Sequence, residues 1–279
     1  MLNQEEHSYD DLKRLLCDEL RLRSWFNAYD ALRDDAKFNE LPLREQLYRI
    51  CLLCKVNRLE SSYKALKSKS NTPKSIVLPT VVELAKSNDI TVSKMDFVVN
   101  KMLENNFSFV AITGGCGIGK TTLGNLLIDQ VLKRGKSAFY NDYNMQIKSL
   151  CYYYEKRDTY LNMLKELVSN KVVMLDDAFL NLPSQYEVYC LKDIIDNMIE
   201  KKHVLILASQ HEVKEWYSWL KNDNQDNSLL VDAIIDRLTA NPIVFEMNGE
   251  SRRKATQKGV KISMNAVQDS NVNEEDLGK

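Results

Sequence analysis

Glycine is scarce in this chain, with nine among 279 residues. Residues 1 to 70 contain none, and Pro42 is their only proline, so that stretch has little with which to turn sharply. Long apolar runs are missing too. Runs such as VVML and VLIL fall far short of the ~20 residues a membrane-spanning helix needs, so no membrane partner is expected. The first residues, MLNQEEHSYDDLKRL, are acidic and amphipathic and lack the basic-then-apolar order of a secretory leader. A cytoplasmic location is the expectation. The formal net charge is only −1, which rules out polyanion binding through bulk charge; any basic surface must be local. The six cysteines stand at 17, 51, 54, 116, 151 and 190. The one CxxC pair, Cys51 and Cys54, has neither a second pair nor a nearby histidine, so a four-ligand zinc site lacks ligands. All six read as reduced, partly buried core residues.

What is present is ordinary material for a soluble core, with 44% hydrophobic and 28% charged residues. DLKRLLCDELRLRSWFNAYDALRDD and LREQLYRICLLCKVNRLESSYKALKSK repeat apolar residues at steps of three and four, the helical period. Pro42 is placed to start the second of these helices. Two prolines interrupt the pattern in NTPKSIVLPT, a connector, before helical character resumes in VVELAKSN and VSKMDFVVNKMLE. Then the texture changes. SFVAIT, SAFY, VVML, VLILAS and IVFEM are short apolar or β-branched runs separated by helical stretches, the pattern of buried parallel strands alternating with helices. The expected fold class is α/β, a three-layer P-loop domain with a parallel sheet, preceded by an all-helical N-terminal domain. The expected boundaries are 1–75 for the helical domain, 76–98 for a linker with entry helices, 99–254 for the nucleotide-binding domain and 255–279 for a polar, disordered tail.

Four of the nine glycines crowd into GGCGIGKTTL, directly after SFVAIT and at the start of a helical stretch. Strand, glycine loop and helix are in the order that a phosphate-binding loop requires. Gly114, Gly119, Lys120 and Thr121 satisfy G-x-x-x-x-G-K-S/T. Glycines let successive main-chain N–H groups turn inward as a nest for phosphate oxygens, and the helix beginning near Lys120 adds its positive dipole end. The expected nucleotide-binding residues are Gly114, Gly115, Cys116, Gly117, Ile118, Gly119, Lys120, Thr121 and Thr122. Lys120 would reach the β- and γ-phosphates of ATP, and the Thr121 hydroxyl would ligate Mg2+. The acidic complement is KVVMLDDAF, in which a buried strand delivers Asp176 and Asp177 at its C-terminal edge, where open α/β sheets bind ligands. Asp176 suits the Mg2+ shell, and Asp177 is placed to accept a proton from attacking water. HVLILASQ ends in Ser209 and Gln210, whose side chains would point towards the γ-phosphate. Trp216 and Trp219, three residues apart, read as core or a packing edge rather than a partner-binding patch.

Together these motifs resemble the IstB-like ATPases, helper proteins of insertion-sequence transposition related to DnaC-type helicase loaders in the AAA+ superfamily. The resemblance also rests on LLVDAIIDRLTANPIVFEMNGESRRK near the end, and spans roughly residues 35 to 255. It implies an ATPase that self-associates on double-stranded DNA and serves a cognate transposase. It further implies that Arg237 in IIDRL is an arginine finger entering the neighbouring subunit's site, and that Arg253 in GESRRK is a second sensor for its own nucleotide. Both tasks need a fixed planar cation, which arginine supplies and lysine does not. Asp177 departs from the glutamate that many AAA+ proteins carry at its position.

Two stretches could hold DNA. KVNRLESSYKALKSKSNTPK carries Lys55, Arg58, Lys64, Lys67, Lys69 and Lys74 against one acid, Glu60, a local excess suited to phosphate contacts or else a solvated basic face. In NDYNMQIKSLCYYYEKRDTY, Lys148, Lys156 and Arg157 interleave with Tyr152, Tyr153 and Tyr154, which either stack on bases or pack in a helical core. The rival readings are a helicase loader gripping a replicative helicase and a small-molecule P-loop kinase. The latter leaves GESRRK unexplained.

Overall fold

The computed structural model describes residues 8–73, 92–104, 108–221, 228–240 and 242–248. Arg253, Lys74, VVELAKSN and the expected tail lie outside them. Helices α1 (Tyr9–Arg14), α2 (Arg23–Asp30), α3 (Ala36–Asn39) and α4 (Leu43–Lys69) open the chain, with a π turn at Leu15–Glu19 after α1. Pro42 sits at the cap of α4, where its missing N–H costs nothing. A small core of Ala28, Phe38, Ile50 and Cys54 joins α2, α3 and α4.

After α5 (Val92–Leu103) the alternation begins: β1 (Ser108–Gly114), α6 (Lys120–Lys133), β2 (Ala138–Asp142), α7 (Tyr143–Tyr152), α8 (Arg157–Leu167), β3 (Val172–Ala178), α9 (Gln185–Glu200), β4 (Val204–Ser209), α10 (Trp216–Leu220), α11 (Ser228–Thr239) and β5 (Pro242–Met247). All five expected strands are present. They form one parallel sheet in the order β2-β3-β4-β1-β5. Its two faces divide the apolar residues by parity. Phe109, Ala111, Val173, Leu175, Leu205 and Leu207 pack with α7 to α11, whereas Val110, Ile112, Val172, Met174, Val204 and Ile206 pack with α5 and α6. Both faces are covered, which is why these strands read as unbroken apolar runs. Trp216 is fully buried on the first face against Phe109 and Phe179, and its indole N–H donates to the His211 carbonyl at 3.0 Å. Trp219 stacks on the His211 ring. Trp216 is thus core and Trp219, half-buried, a packing edge, as expected.

The last turns of α4 dock on α6. Tyr63 and Leu66 pack at the edge of the second face, and the anchor is Asp129, a carboxylate only 3% exposed. It accepts from Tyr63 Oη at 2.6 Å and pairs with Lys133 at 2.8 Å and Lys67 at 3.5 Å. Burial alone would raise the carboxyl's pKa, but the Lys133 and Tyr63 hydrogen bonds and the Lys67 charge outweigh it, so the net shift is downward. The Tyr63 hydroxyl, desolvated and bonded to a carboxylate, is pushed up to about 12. A depressed carboxyl stabilises the fold fully above the ordinary carboxylate range and loses that effect as pH falls through its folded value. Hydrogen bonds to a charged group contribute about 1.5–3 kcal/mol. Asp129→Asn is therefore expected to melt several degrees below the parent at neutral pH, and the gap should narrow as the pH falls below the ordinary carboxylate range. A gap that widened on acidification would refute the arrangement.

Beyond α4 the chain clasps the sheet edge. Tyr140 in β2 donates its N–H to the Ser70 carbonyl at 2.8 Å, and Asn71 Nδ2 donates to the Tyr140 carbonyl at 2.9 Å.

Candidate nucleotide site

The glycine loop bridges β1 and α6 at the C-terminal edge of the sheet. Gly114, Gly117 and Gly119 have φ of 137°, 78° and 109°, a region that side-chain-bearing residues avoid. Gly114 is constrained twice over, since a Cβ there would fall on the Met247 carbonyl oxygen at the end of β5. Ile118 is buried in the core beneath the loop and anchors it, while Gly115 and Cys116 are exposed at its tip. The exposure of Cys116, and of Cys51 in α4, departs from the expectation of partly buried thiols. Lys120 is only 6% exposed, and its ammonium donates to the Gly114 and Gly115 carbonyls at 2.8 and 2.9 Å. A cation so desolvated needs acceptors, and the loop supplies them from its own backbone. The ammonium thus lies within the loop that a phosphate would enter. Thr121 and Thr122 follow, half-buried, in the first turn of α6.

Asp176 and Asp177 occupy a distortion in β3. Leu175 aligns with Leu207, but Ala178 aligns with Ser209, so β3 holds one residue more than β4 over this step. That is a β-bulge, which re-aims side chains. Asp177 takes φ 54° and Phe179 φ 64°, left-handed conformations that aspartate tolerates better than most residues. Asp176 is 3% exposed. Its Oδ2 accepts from Tyr140 Oη at 3.0 Å and its Oδ1 from the Asp177 N–H at 3.0 Å. Each oxygen keeps a further lone pair, so the carboxylate is oriented with acceptor capacity to spare. Burial and the neighbouring carboxylates, Asp176 foremost, push the Tyr140 hydroxyl above its usual range, so it remains a donor.

Ser209 ends β4 beside that bulge. It is fully buried, donates its hydroxyl to the Ala178 carbonyl at 2.9 Å and accepts from the His211 N–H at 3.1 Å. It clamps the bulge that carries Asp177. Gln210, the next residue, is exposed.

Arg237 lies elsewhere. It is in the last turn of α11, just before β5 starts, whereas the glycine loop leaves β1 where Gly114 aligns with Met247 at the far end of β5. At ~3.3 Å per residue, β5 separates the two by roughly 17 Å. Its Nε pairs with Asp196 of α9 at 3.0 Å, its Nη1 donates to the Ala233 carbonyl at 2.7 Å, and its side chain is 37% exposed. The ion pair is with α9, not with the adjacent Asp232 or Asp236.

The basic stretches split on inspection. At 100° per residue, Lys55, Arg58 and Lys69 fall within a sector of about 60° on α4, while Lys64 and Lys67 point to other sides. Lys67 is tied to Asp129, and Arg58 Nε donates to Ser24 Oγ at 2.9 Å. On α7 and beyond, Lys148, Lys156 and Arg157 are exposed, as is Tyr152 at 74%. Tyr153 and Tyr154 turn inward onto the core, Tyr154 against Tyr160, Tyr186 and Tyr189. Lys69 and the α7 residues Met145, Gln146 and Ser149 line one open cleft of about 710 Å³ beside β2, so the two stretches converge in space.

Reading the sequence did not find Tyr140, Asp129 or Asp196. A signal existed for Tyr140, which aligns with Met174 and shares the sheet face of Asp176, but using it requires the β2–β3 register.

The chain matches the family described as IstB-like ATP binding protein over residues 16–259. It belongs to that family. It is therefore an ATP-binding protein. Among solved structures, the chain is similar to that titled "Crystal Structure of the DnaI", at 16% identity and a TM-score of 0.49, covering 62% of this chain and 96% of that one. The DnaC helicase loader aligns at 16% identity and 0.47, covering 64% and 97%. AMPPCP-bound DnaA from Aquifex aeolicus aligns at 19% and 0.45, covering 66% and 53%. No curated protein matches. Among the described residues, no helix of this family member is long and apolar enough to cross a membrane.

Proposed function

We propose that this IstB-like protein is an ATPase that assembles on double-stranded DNA and acts as helper to a transposase. The observation that carries the reading is the placement of Arg237, exposed at the sheet edge opposite its own glycine loop. An arginine there cannot serve its own triphosphate but is free to serve a neighbour's. Partly exposed ion pairs such as Arg237–Asp196 hold by no more than about 1 kcal/mol, so exchanging Asp196 for a phosphate is inexpensive.

In this reading, main-chain N–H groups from Gly117 to Lys120 bind phosphate oxygens, and Lys120 trades the Gly114 and Gly115 carbonyls for the β- and γ-phosphates. Thr121 and Asp176 hold Mg2+, whose charge offsets that of the phosphates when it is bound. The fit rests on the buried, Tyr140-oriented carboxylate and its remaining lone pairs. Asp177, presented by the bulge, accepts a proton from the attacking water, and Arg237 of the next copy stabilises charge developing on the γ-phosphate. Arg253 is the second sensor. Residues 1–75 form the unit that contacts DNA or partner, and 99–254 the ATPase unit. Lys55, Arg58 and Lys69 on α4, with Lys148, Lys156 and Arg157, contact DNA phosphates without reading sequence, because these cations are long, exposed and spread over several elements.

Electron microscopy and sedimentation with duplex DNA and a non-hydrolysable ATP analogue test this. The expected result is an oligomer that requires both and dissolves as salt rises. A protein that stays monomeric with both present, or that instead captures a replicative helicase, overturns it.

A further inference from the structure

Cys151 closes α7 and Cys190 lies in the middle of α9, 39 residues on, yet their sulfurs stand 3.5 Å apart. The two differ in access. Cys190 is fully buried in the first core, whereas Cys151 is half-buried at its margin, beside the exposed Tyr152. A disulfide needs sulfurs at about 2.05 Å, so closure requires an approach of only about 1.5 Å. The CxxC pair offers nothing comparable, since Cys51 is exposed and Cys54 buried in the small N-terminal core.

We infer that Cys151 and Cys190 form a peroxide-sensitive thiol pair, in which Cys151 is the site of attack and Cys190 the resolving thiol. The Cys151 sulfur attacks one oxygen of hydrogen peroxide and displaces water, becoming a sulfenic acid; the O–O bond breaks and takes the two electrons. The Cys190 sulfur then attacks Cys151 Sγ, the S–O bond breaks, and the oxygen leaves as water with the Cys190 proton. The balance is two thiols and one peroxide to one disulfide and two waters. In reducing compartments, disulfides of this kind are transient and redox-sensing.

The electrostatics agree with that order. The hydrogen bond from Cys190 holds the Cys151 thiol below its usual value, against the opposing effects of burial and Glu187. The same bond, with burial, pushes Cys190 far up. The thiolate is the reactive form, so the accessible sulfur is also the nucleophilic one. Closure pins the end of α7, which carries Lys148 and Tyr152, to α9.

Peptide mapping of the full chain after mild hydrogen peroxide and thiol blocking tests the pair. A cross-linked peptide joining 151 to 190, abolished by dithiothreitol, is expected, together with a raised melting temperature because a long loop is closed. Cys190→Ser should arrest at a Cys151 sulfenic acid trapped by dimedone, and Cys151→Ser should leave Cys190 unmodified. If either variant fails to fold, the alanine versions provide the same readouts. Oxidation confined to Cys51 and Cys116, or a Cys151 that over-oxidises in the parent without bonding to Cys190, overturns the inference.

Discussion

Lys120→Ala is expected to weaken ATP binding by at least 100-fold while leaving the fold intact. The ammonium is buried within the loop and donates to the Gly114 and Gly115 carbonyls of that loop. Charge-assisted bonds of the kind it would offer a triphosphate contribute about 1.5–3 kcal/mol each. Two of them exceed a factor of 100 in affinity. The Gly114 and Gly115 carbonyls remain within reach of water at the exposed loop tip, so their loss of a donor is tolerable. Titration with a fluorescent ATP analogue reads the affinity and a thermal melt reads the fold. Unchanged affinity would remove the loop from the phosphate.

Arg237→Ala should behave in the opposite way, with nucleotide affinity nearly unchanged and turnover lower by about 10³, the lower end of what an arginine finger supplies. Its place across the sheet from the loop makes a sharper version available. Mixing Lys120→Ala with Arg237→Ala should recover part of the activity that each lacks, because some interfaces then combine an intact Lys120 from one copy with an intact Arg237 from the next. Mixtures as inactive as their components would mean that the arginine serves no neighbour. Removal of Arg237 also frees Asp196 from its ion pair, but Lys192 remains beside that carboxylate and limits the damage to α9.

The sheet and the loop were legible because their causes are local in sequence. Doubly covered strands must be apolar at every position, and SFVAIT, VVML and VLILAS announced themselves. A phosphate loop concentrates its glycines where φ must be positive, and the crowding from 114 to 119 was visible in a chain otherwise poor in glycine. The contacts that could not be read share a different origin. Ser209 was assigned by its place at a strand end, yet its hydroxyl is claimed by Ala178, 31 residues away. Arg237 pairs with Asp196 on α9, a partner 41 residues away that no local pattern indicates. The basic run around α4 was counted along the chain, but a helix distributes side chains around its axis, and Lys67 was drawn to Asp129. None of these contacts has a periodicity or a motif, so they appear only once distant elements are packed. Asp177 is the intermediate case. Its acidity at a strand end could be read, whereas its left-handed backbone depends on the mismatch between β3 and β4.

The clasp of residues 70–71 on β2 restricts how copies of the protein can join. Tyr140 is the middle residue of that border strand, and both its main-chain groups are already engaged, one by Ser70 and one by Asn71. An unprotected border would invite another chain to extend the sheet, the common route to uncontrolled aggregation. Here that end is sealed from within. Growth by strand addition is blocked on this side, so copies that gather at this edge must meet through helices and side chains, which can separate again.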